Sequence, residues 1–332
     1  MPIILILILL RINSLALPSH AGASSEYYIS RTNSIYLPSV AERTYELSWE
    51  IGGPFQGDSE SFAFPQVRVS DSDGFYILDA GNNRLMHFDS DGKFIASFGR
   101  AGQGDNEFFL PSAITVGNNG KIYTGEVIDG KLKVFDKALH HLETLPFVTF
   151  GNSIAVDGLG RIYGATNDDL GLLTRYDEKG IAKDHLGFQF TRRGSDGRNW
   201  SYQYGFTVDR DNNLHIAYFG GDTCIIDKYV SGQRGVSRTR LCIRQIAIDS
   251  SSAHKSMNFT SGRDGYLYLL IYPLNLLYRL DTEDLVIQKI TFSMPGYNTL
   301  PIFTSVSIGQ DGSIYLVDNT YCRLFKFSSH KN

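Results

Sequence analysis

Long apolar segments are nearly missing from this sequence of 332 residues. The most apolar run, at residues 2–10, is much shorter than the roughly 20 residues that a membrane-spanning helix needs. No later segment is long and apolar enough to cross a bilayer. We therefore predict no transmembrane segment in the mature chain.

A surplus of basic residues is also missing. The chain has 31 Lys and Arg against 35 Asp and Glu, which gives a formal net charge of −4. Proteins that bind nucleic acid usually carry a basic excess on one face. We therefore expect no nucleic-acid partner.

Cysteine is scarce, with three residues at Cys224, Cys242 and Cys322. The first two flank a turn-like segment, SGQRG at 231–235, and would lie opposite each other in a hairpin centred on Gln233. Such a pair fits a disulfide, and it equally fits two small buried side chains. Both interpretations stay open, and Cys322 has no evident partner.

The N-terminal run is followed by Arg11 and by a segment that ends in Ala21-Gly22-Ala23. An apolar stretch before small residues is typical of a secretory signal peptide. We predict a signal peptide at 1–23, a single mature domain at 24–332, and a secreted or periplasmic location. Because no Lys or Arg precedes the run and Arg11 interrupts it, a misassigned start or a buried strand is the alternative.

Aromatic residues and glycine are abundant, with 21 Phe, 19 Tyr and 33 Gly, as expected for short strands joined by tight turns.

One sequence unit recurs six times. It consists of an alternating apolar strand, an Asp/Asn/Gly turn, an apolar-Tyr-apolar strand, a polar turn and a strand that ends in an aromatic residue. The copies lie at 65–89, 111–136, 152–177, 204–230, 257–281 and 303–328.

A fourth run follows the third strand in most units, and four antiparallel strands in each of six units are typical of a propeller. The last unit lacks a fourth strand. The segment TYELSWEIGG at 44–53 resembles a fourth strand, but it precedes the first unit and belongs to none of the six. We therefore predict an all-β, six-bladed β-propeller of four-stranded antiparallel blades, in which this N-terminal strand completes the last blade.

Residues 71–111 resemble an NHL repeat. They contain its D-x-D-G turn, its D-x-G-N-N-R segment and its F-G-x-x-G-x-G-x-x-x-F-x-x-P connection. The resemblance extends over residues 45–328, although later units lose parts of the motif. It implies a six-bladed propeller similar to secreted bacterial ones. Function does not follow from it, because propellers include ligand binders, protein-binding platforms and a few lyases and hydrolases.

The inner strands are the first place to look for a site. The inner strands alternate between an apolar set and a set of mostly small or hydroxylic side chains, at Arg68, Ser70, Thr115, Ser153, Ala155, Thr207, Thr260, Ser305 and Ser307. If the second set faces the central channel, the channel contains one Arg and several hydroxyl groups. It contains no ring of His or carboxylates, which a metal-dependent lyase or hydrolase would need. The eight His residues are scattered without metal-ligand spacing.

Acidic residues recur in the turns between second and third strands, at Asp79, Glu126, Asp168, Asp169, Asp222 and Asp318. They would suit Ca²⁺ as oxygen ligands. They would equally cap their own turns by accepting backbone N–H groups, and their recurrence at one repeat position favours this structural role.

The longest connection between units, at 187–205, concentrates cationic and aromatic side chains, namely Arg192, Arg193, Arg198, Trp200 and Tyr202. Guanidinium groups beside aromatic rings suit a sugar, a carboxylate or a peptide. The alternative is a loop that packs its own aromatic side chains over the blade. A neighbouring connection at 247–258 adds His254.

We therefore predict an exported, non-catalytic binding module that recognises a protein, peptide or carbohydrate through one propeller face. The predicted ligand-binding residues are those five loop residues together with His254 and Arg68. No cofactor is expected, and a monomer is favoured. The alternative is a metal-assisted lyase or hydrolase at the channel mouth, with Ca²⁺ or another divalent ion at Asp79, Glu126 and Asp318.

Overall fold

The computed structural model describes residues 30–35, 41–53, 61–69, 74–126, 130–146, 150–165, 172–189, 191–193, 199–201, 204–220, 223–232, 235–243, 256–281 and 287–329. The predicted signal peptide at 1–23 lies outside this set. No helix in these ranges is long and apolar enough to cross a membrane. A single 3₁₀ turn, at Ala80–Asn82, interrupts the strands.

Two strands precede the first repeat, and each repeat then forms one blade. The N-terminal strands are β1 (Ser30–Ile35) and β2 (Ala41–Gly52). Blade 1 contains β3 (Pro65–Val69), β4 (Phe75–Asp79), β5 (Arg84–Phe88) and β6 (Phe94–Phe98). Blade 2 contains β7 (Pro111–Val116), β8 (Ile122–Glu126), β9 (Lys131–Phe135) and β10 (His141–Pro146).

The middle of the chain forms two further blades and a separate hairpin. Blade 3 contains β11 (Phe150–Val156), β12 (Ile162–Ala165), β13 (Leu172–Tyr176) and β14 (Ala182–Gln189). The hairpin consists of β15 (Thr191–Arg193) and β16 (Asn199–Ser201). Blade 4 contains β17 (Tyr204–Val208), β18 (Leu214–Gly220), β19 (Thr223–Gly232) and β20 (Gly235–Ile243).

The last two blades share one continuous sheet with β2. Blade 5 contains β21 (Ser256–Ser261), β22 (Leu267–Tyr272), β23 (Leu276–Leu280) and β24 (Ile287–Ser293). Blade 6 contains β25 (Phe303–Ile308), β26 (Ile314–Asp318) and β27 (Arg323–Ser329). The first strands of neighbouring blades lie beside one another around a central channel.

The second strand of a blade is buried on both faces. All five residues of β4, of β8 and of β26 are buried. A strand between two neighbouring blades has no solvent-facing side, so its sequence becomes apolar with an embedded Tyr instead of alternating with polar residues. This burial explains the apolar-Tyr-apolar pattern that marks each repeat.

The core is divided into six hydrophobic clusters, one at each junction between blades. The cluster between blades 1 and 2, for example, packs Tyr76 and Leu78 against Phe108 and Ile122. Another cluster packs Tyr315 of blade 6 against Phe75 of blade 1. Blade 6 therefore packs on blade 1, and the ring is closed.

The predicted closure by an N-terminal strand is confirmed. Strand β2 pairs antiparallel with β27, from Tyr45 opposite Ser329 to Gly52 opposite Arg323. The sequence did not reveal two further pairings, in which the N-terminal segment adds parallel strands to the outside of two blades. The first half of β2 pairs with β24, and β1 pairs with β20. Both pairings cover strand edges that would otherwise be exposed.

The hairpin that contains Cys224 and Cys242 exists, but its register differs from the predicted one by one residue. The described pairing runs from Cys224 with Ile243 to Gly232 with Gly235, one residue away from a pairing centred on Gln233. Cys224 therefore lies opposite Ile243 rather than opposite Cys242. Cys224 is buried.

Leu110 directly precedes Pro111 and has a φ of 51°. This left-handed conformation costs a residue with a Cβ about 1–2 kcal/mol, whereas glycine adopts it freely. The Leu110 side chain is exposed, and its backbone N–H donates to Asn83 Oδ1. We expect Leu110→Gly to raise the free energy of unfolding by about 0.5–1 kcal/mol, measured by denaturant titration. Leu110→Ala is the control, because it keeps the strain, and an equal gain from both variants would contradict this explanation.

Candidate functional site

The central channel widens into a pocket of about 660 Å³, a volume that includes the solvent at its open mouth. All six inner strands contribute residues from their carboxyl ends. The turns that follow three of them add the rim residues Asn118, Arg210, Gly262 and Arg263. The pocket therefore lies at the end of the channel where the first and second strands of each blade are joined.

The polar part of the wall comes from one side of the inner strands. Five polar members of the set predicted to face the channel line the pocket, namely Arg68, Thr115, Thr207, Thr260 and Ser307. Ser153 and Ser305 do not line it, whereas apolar residues of the other set, such as Val69 and Phe206, do. Ser70 lies outside the described residues. The pocket thus presents hydroxyl groups and a guanidinium group.

Arg68 links blade 1 to blade 6 across the channel wall. Its Nη1 donates to Val67 O at 2.6 Å and to Ser305 Oγ at 3.3 Å. Beside it, the Val69 N–H donates to Ser307 Oγ at 2.9 Å. Burial lowers the pKa of the Arg68 guanidinium to about 10, so the group remains charged at neutral pH.

The rim of the pocket is held together by asparagine side chains. Asn118 Nδ2 donates to Asp209 O at 2.7 Å and to Asn212 Oδ1 at 3.2 Å. The same Asn212 Oδ1 accepts the Gly158 N–H at 2.6 Å. These bonds join the first turns of blades 2, 3 and 4, so this side of the mouth is fixed before any ligand arrives.

The acidic turn residues lie at the other end of the strands. Asp79 is opposite Pro65, the first residue of β3, while the pocket involves the last residues of that strand. Its buried carboxylate accepts the Ala63 N–H at 2.6 Å, Asn82 Nδ2 at 2.9 Å and Arg84 Nε at 2.7 Å. These contacts are those of a residue that fixes its own turn.

The other two acidic candidates occupy the same repeat position in blades 2 and 6. Glu126 is buried, and its Oε1 lies 3.7 Å from Lys133 Nζ. Asp318 is also buried and accepts the Thr320 N–H at 2.7 Å. Burial raises the pKa of Asp318 above its ordinary value. Within the described ranges, no group of three His, Cys, Asp or Glu side chains could hold a metal ion.

The remaining acidic candidates, Asp168, Asp169 and Asp222, lie outside the described residues. The same applies to Arg198, Tyr202 and His254 among the predicted ligand-binding residues.

The loop at 187–205 contains the hairpin of β15 and β16, in which Arg192 pairs with Trp200 and Arg193 with Asn199. The loop joins blade 4 at Tyr204, whereas the pocket uses the other end of that strand, at Val208 and Arg210. The described end of this loop, at Tyr204, therefore lies at the opposite end of β17 from the pocket residues Val208 and Arg210.

Sequence reasoning missed Asn118, Arg210 and Arg263. Each lies in the turn after an inner strand, where a polar side chain is unremarkable by itself. The available signal was positional, because these turns recur at one place in each repeat and therefore gather at one mouth of the channel.

Comparison with known proteins identifies the fold. The profile of a family described as "6-bladed beta-propeller" matches residues 59–215. No curated protein matches the chain. A protein of unknown function from Bacteroides thetaiotaomicron has a similar structure, with a TM-score of 0.54, 14% identity, and coverage of 87% of this chain and 75% of that one.

Two further solved structures are similar. A structure described as a "Putative exported protein" from Bacteroides fragilis has a TM-score of 0.51 at 13% identity, over 91% of this chain and 100% of that one. A calcium-binding protein, regucalcin, from Agrobacterium tumefaciens has a TM-score of 0.50 at 11% identity, over 86% and 95%. Identities this low show a common fold and nothing about activity. Together with the six blades, these comparisons show that the chain is a six-bladed β-propeller.

Proposed function

We propose that this propeller is an exported, non-catalytic binding module whose ligand enters the pocket at the mouth of the central channel. The ligand would be a carbohydrate, or a peptide or protein segment that inserts into the channel. The observation that supports this proposal is the pocket itself, in which all six inner strands converge on one cavity with a charged arginine in its wall.

The lining of the pocket suits a ligand that inserts one polar group. Pockets for small molecules usually place a few polar groups among apolar walls. This pocket has hydroxyl groups at Thr115, Thr207 and Thr260, with apolar residues such as Phe206 and Ile308 between them. Hydrogen bonds between neighbouring blades fix several of these groups before binding, which reduces the entropy lost on association.

Export and the NHL-type repeat are parts of the same proposal. Their support is the apolar run before Ala21-Gly22-Ala23 and the motif at 71–111. The similar B. fragilis structure is described as that of a "Putative exported protein", which agrees with this location.

The site can be tested by filling the pocket. Thermal unfolding against a panel of sugars, sugar acids, amino acids and short peptides would identify stabilising compounds. We expect Thr115→Phe to weaken binding of each of them at least tenfold, because the ring would occupy the space of the ligand. Titration calorimetry measures the affinities, and Thr115→Val, which adds no volume, is the control for folding.

The loop at the other end of the channel supplies a second comparison. If the ligand enters at the pocket, the double variant Arg193→Ala and Trp200→Ala should bind within about twofold of the wild type. If the loop forms the site instead, the double variant loses affinity and Thr115→Phe keeps it. That second pattern would overturn the assignment to the channel mouth.

A further inference from the structure

We propose that the ligand carries an oxyanion, a carboxylate or a phosphate on a small organic molecule, and that Arg68 binds it at the channel mouth. This inference rests on the proposed function, since it assigns a chemical class to the ligand of that pocket. Three features of the structure support it: the partners of Arg68, the charges around the mouth and the state of the neighbouring carboxylates.

Arg68 has only neutral partners. Both hydrogen bonds of its guanidinium come from Nη1 and go to a backbone carbonyl and a serine hydroxyl. None of the ion pairs among the described residues includes Arg68. A guanidinium offers five N–H donors, so several remain for a ligand. Arg68 is half-buried, so its charge is partly withdrawn from water, and an oxyanion in the pocket would supply the counterion that it lacks.

Among the described residues that line the pocket, every charged side chain is an arginine. There are three, Arg68, Arg210 and Arg263, and no Asp or Glu is in this set. Arg210 is exposed at the rim, where its charge can attract an approaching anion. The whole chain has a net charge of −4, so the positive mouth is a local feature and does not reflect the composition.

The carboxylates next to the rim arginines are engaged in their own hairpins. Asp209 Oδ2 accepts His215 Nε2 at 2.8 Å and Asn213 Nδ2 at 2.9 Å. Asp264 Oδ2 accepts the Tyr268 hydroxyl at 2.6 Å and lies 3.5 Å from Arg279 Nε. Both acids therefore satisfy partners inside blades 4 and 5 and do not line the pocket that the arginines enter.

An arginine in such a wall discriminates between charged and neutral ligands. Its fork of N–H groups matches the oxygen pairs of carboxylate and phosphate groups, and charge-assisted hydrogen bonds are about twice as strong as neutral ones. A neutral sugar would use the hydroxyl groups of the wall and leave the guanidinium without a counterion. The wall therefore favours a ligand that places an oxyanion beside Arg68.

The test compares ligands that have closely related chemical structures and differ in charge. The probes are glucose, glucuronate and glucose 6-phosphate, together with a tripeptide that has a free carboxyl terminus and its carboxamide. Titration calorimetry on the full-length chain should find at least one charged probe that binds at least tenfold more tightly than its neutral counterpart. The glucuronate and phosphate arms distinguish carboxylate from phosphate recognition.

Arg68→Gln should weaken binding of that charged probe by about tenfold to a hundredfold and leave the neutral probe unchanged. Arg68→Lys keeps the charge and should recover part of the affinity. Arg100→Gln is the matched control, because it removes the same charge from an exposed side chain. If Arg68→Gln fails to fold, Arg210→Gln at the exposed rim should still weaken the charged probe severalfold.

Two results would overturn the inference. One is that no charged probe binds better than its neutral counterpart. The other is that folded Arg68→Gln, or Arg210→Gln in its place, binds the charged probe as tightly as the wild type does. If neutral probes bind and Thr115→Phe abolishes their binding, the channel mouth remains the proposed site, and only the assignment of an oxyanion ligand is rejected. If Thr115→Phe has no effect on any probe, the proposed site itself fails.

Discussion

A chain that begins at Gly53 is expected to lose its stable fold. The deletion removes β2, which contributes buried Tyr45 to one junction between blades and partly buried Trp49 and Ile51 to another. Full burial of one large apolar side chain stabilises a protein by about 1.5–3 kcal/mol. The loss of several contacts and a paired strand would therefore remove about 5 kcal/mol or more, against a total of about 5–15 kcal/mol. Thermal unfolding followed by circular dichroism measures the loss.

A second truncation separates the strand from the residues before it. A chain that begins at Ala41 keeps β2 and loses β1, so its melting temperature should stay within a few degrees of that of the full chain. A synthetic peptide of residues 41–52, added to the shorter chain, should restore part of the lost stability. Cooperative unfolding of the Gly53 chain near the wild-type temperature would show that blade 6 is stable with three strands.

Asp79→Asn is expected to destabilise the protein by about 3 kcal/mol, in the range found when one partner of a buried ion pair is removed. The carboxylate is buried and accepts hydrogen bonds from the Ala63 backbone, Asn82 and Arg84. An amide at this position places N–H donors against the donors of Asn82 and Arg84, and Arg84 loses its anionic partner. Denaturant unfolding at pH 7 measures the change.

Asp318→Asn is the matched control, because Asp318 occupies the same repeat position in blade 6. The arginine that corresponds to Arg84 is Arg323, and its Nη1 binds Glu50 Oε1 at 2.9 Å and the Tyr297 hydroxyl at 3.0 Å. Burial raises the pKa of Asp318, so its carboxylate is less favourable in the folded state than in the unfolded one. At pH 7 we expect Asp318→Asn to be neutral or stabilising.

The difference between Asp318→Asn and the wild type should depend on pH. Below the ordinary Asp pKa of 3.8, Asp318 is protonated in both the folded and the unfolded state, so it imposes no cost on folding. As the pH rises through 3.8 and then through the raised folded pKa, the wild type loses stability that the amide variant keeps. The variant should therefore gain relative to the wild type between about pH 4 and pH 7. A difference that shrinks over this range, or an Asp79→Asn variant as stable as Asp318→Asn, would contradict this account.

The sequence predicts most of the fold because the repeat is strong in it. Six copies of one pattern indicate six blades, and the last unit without a fourth strand indicates the role of residues 44–53. These predictions succeed because each depends on a local period that the fold preserves.

The features that the sequence did not reveal depend on long-range geometry. The parallel pairing of β1 with β20 and of β2 with β24 leaves no periodic signal, since an added edge strand needs only an extended backbone. The pairing that places Cys224 opposite Ile243 is offset by one residue from the predicted pairing, which was centred on Gln233. Arg210 and Arg263 join Arg68 only because the ring brings together turns that lie more than fifty residues apart in the chain.

The pairing of β2 with β27 also sets the order of events during synthesis. Glu50 and Arg323 are bonded although 273 residues separate them. A ribosome makes β2 before any blade, and its antiparallel partner β27 emerges only after blades 1 to 5 have been made. Pairing over such a distance in sequence is slow, and an unpaired strand exposes its edge meanwhile. Strand β2 must therefore remain unaggregated until β27 has been made, and the ring can close only after that point.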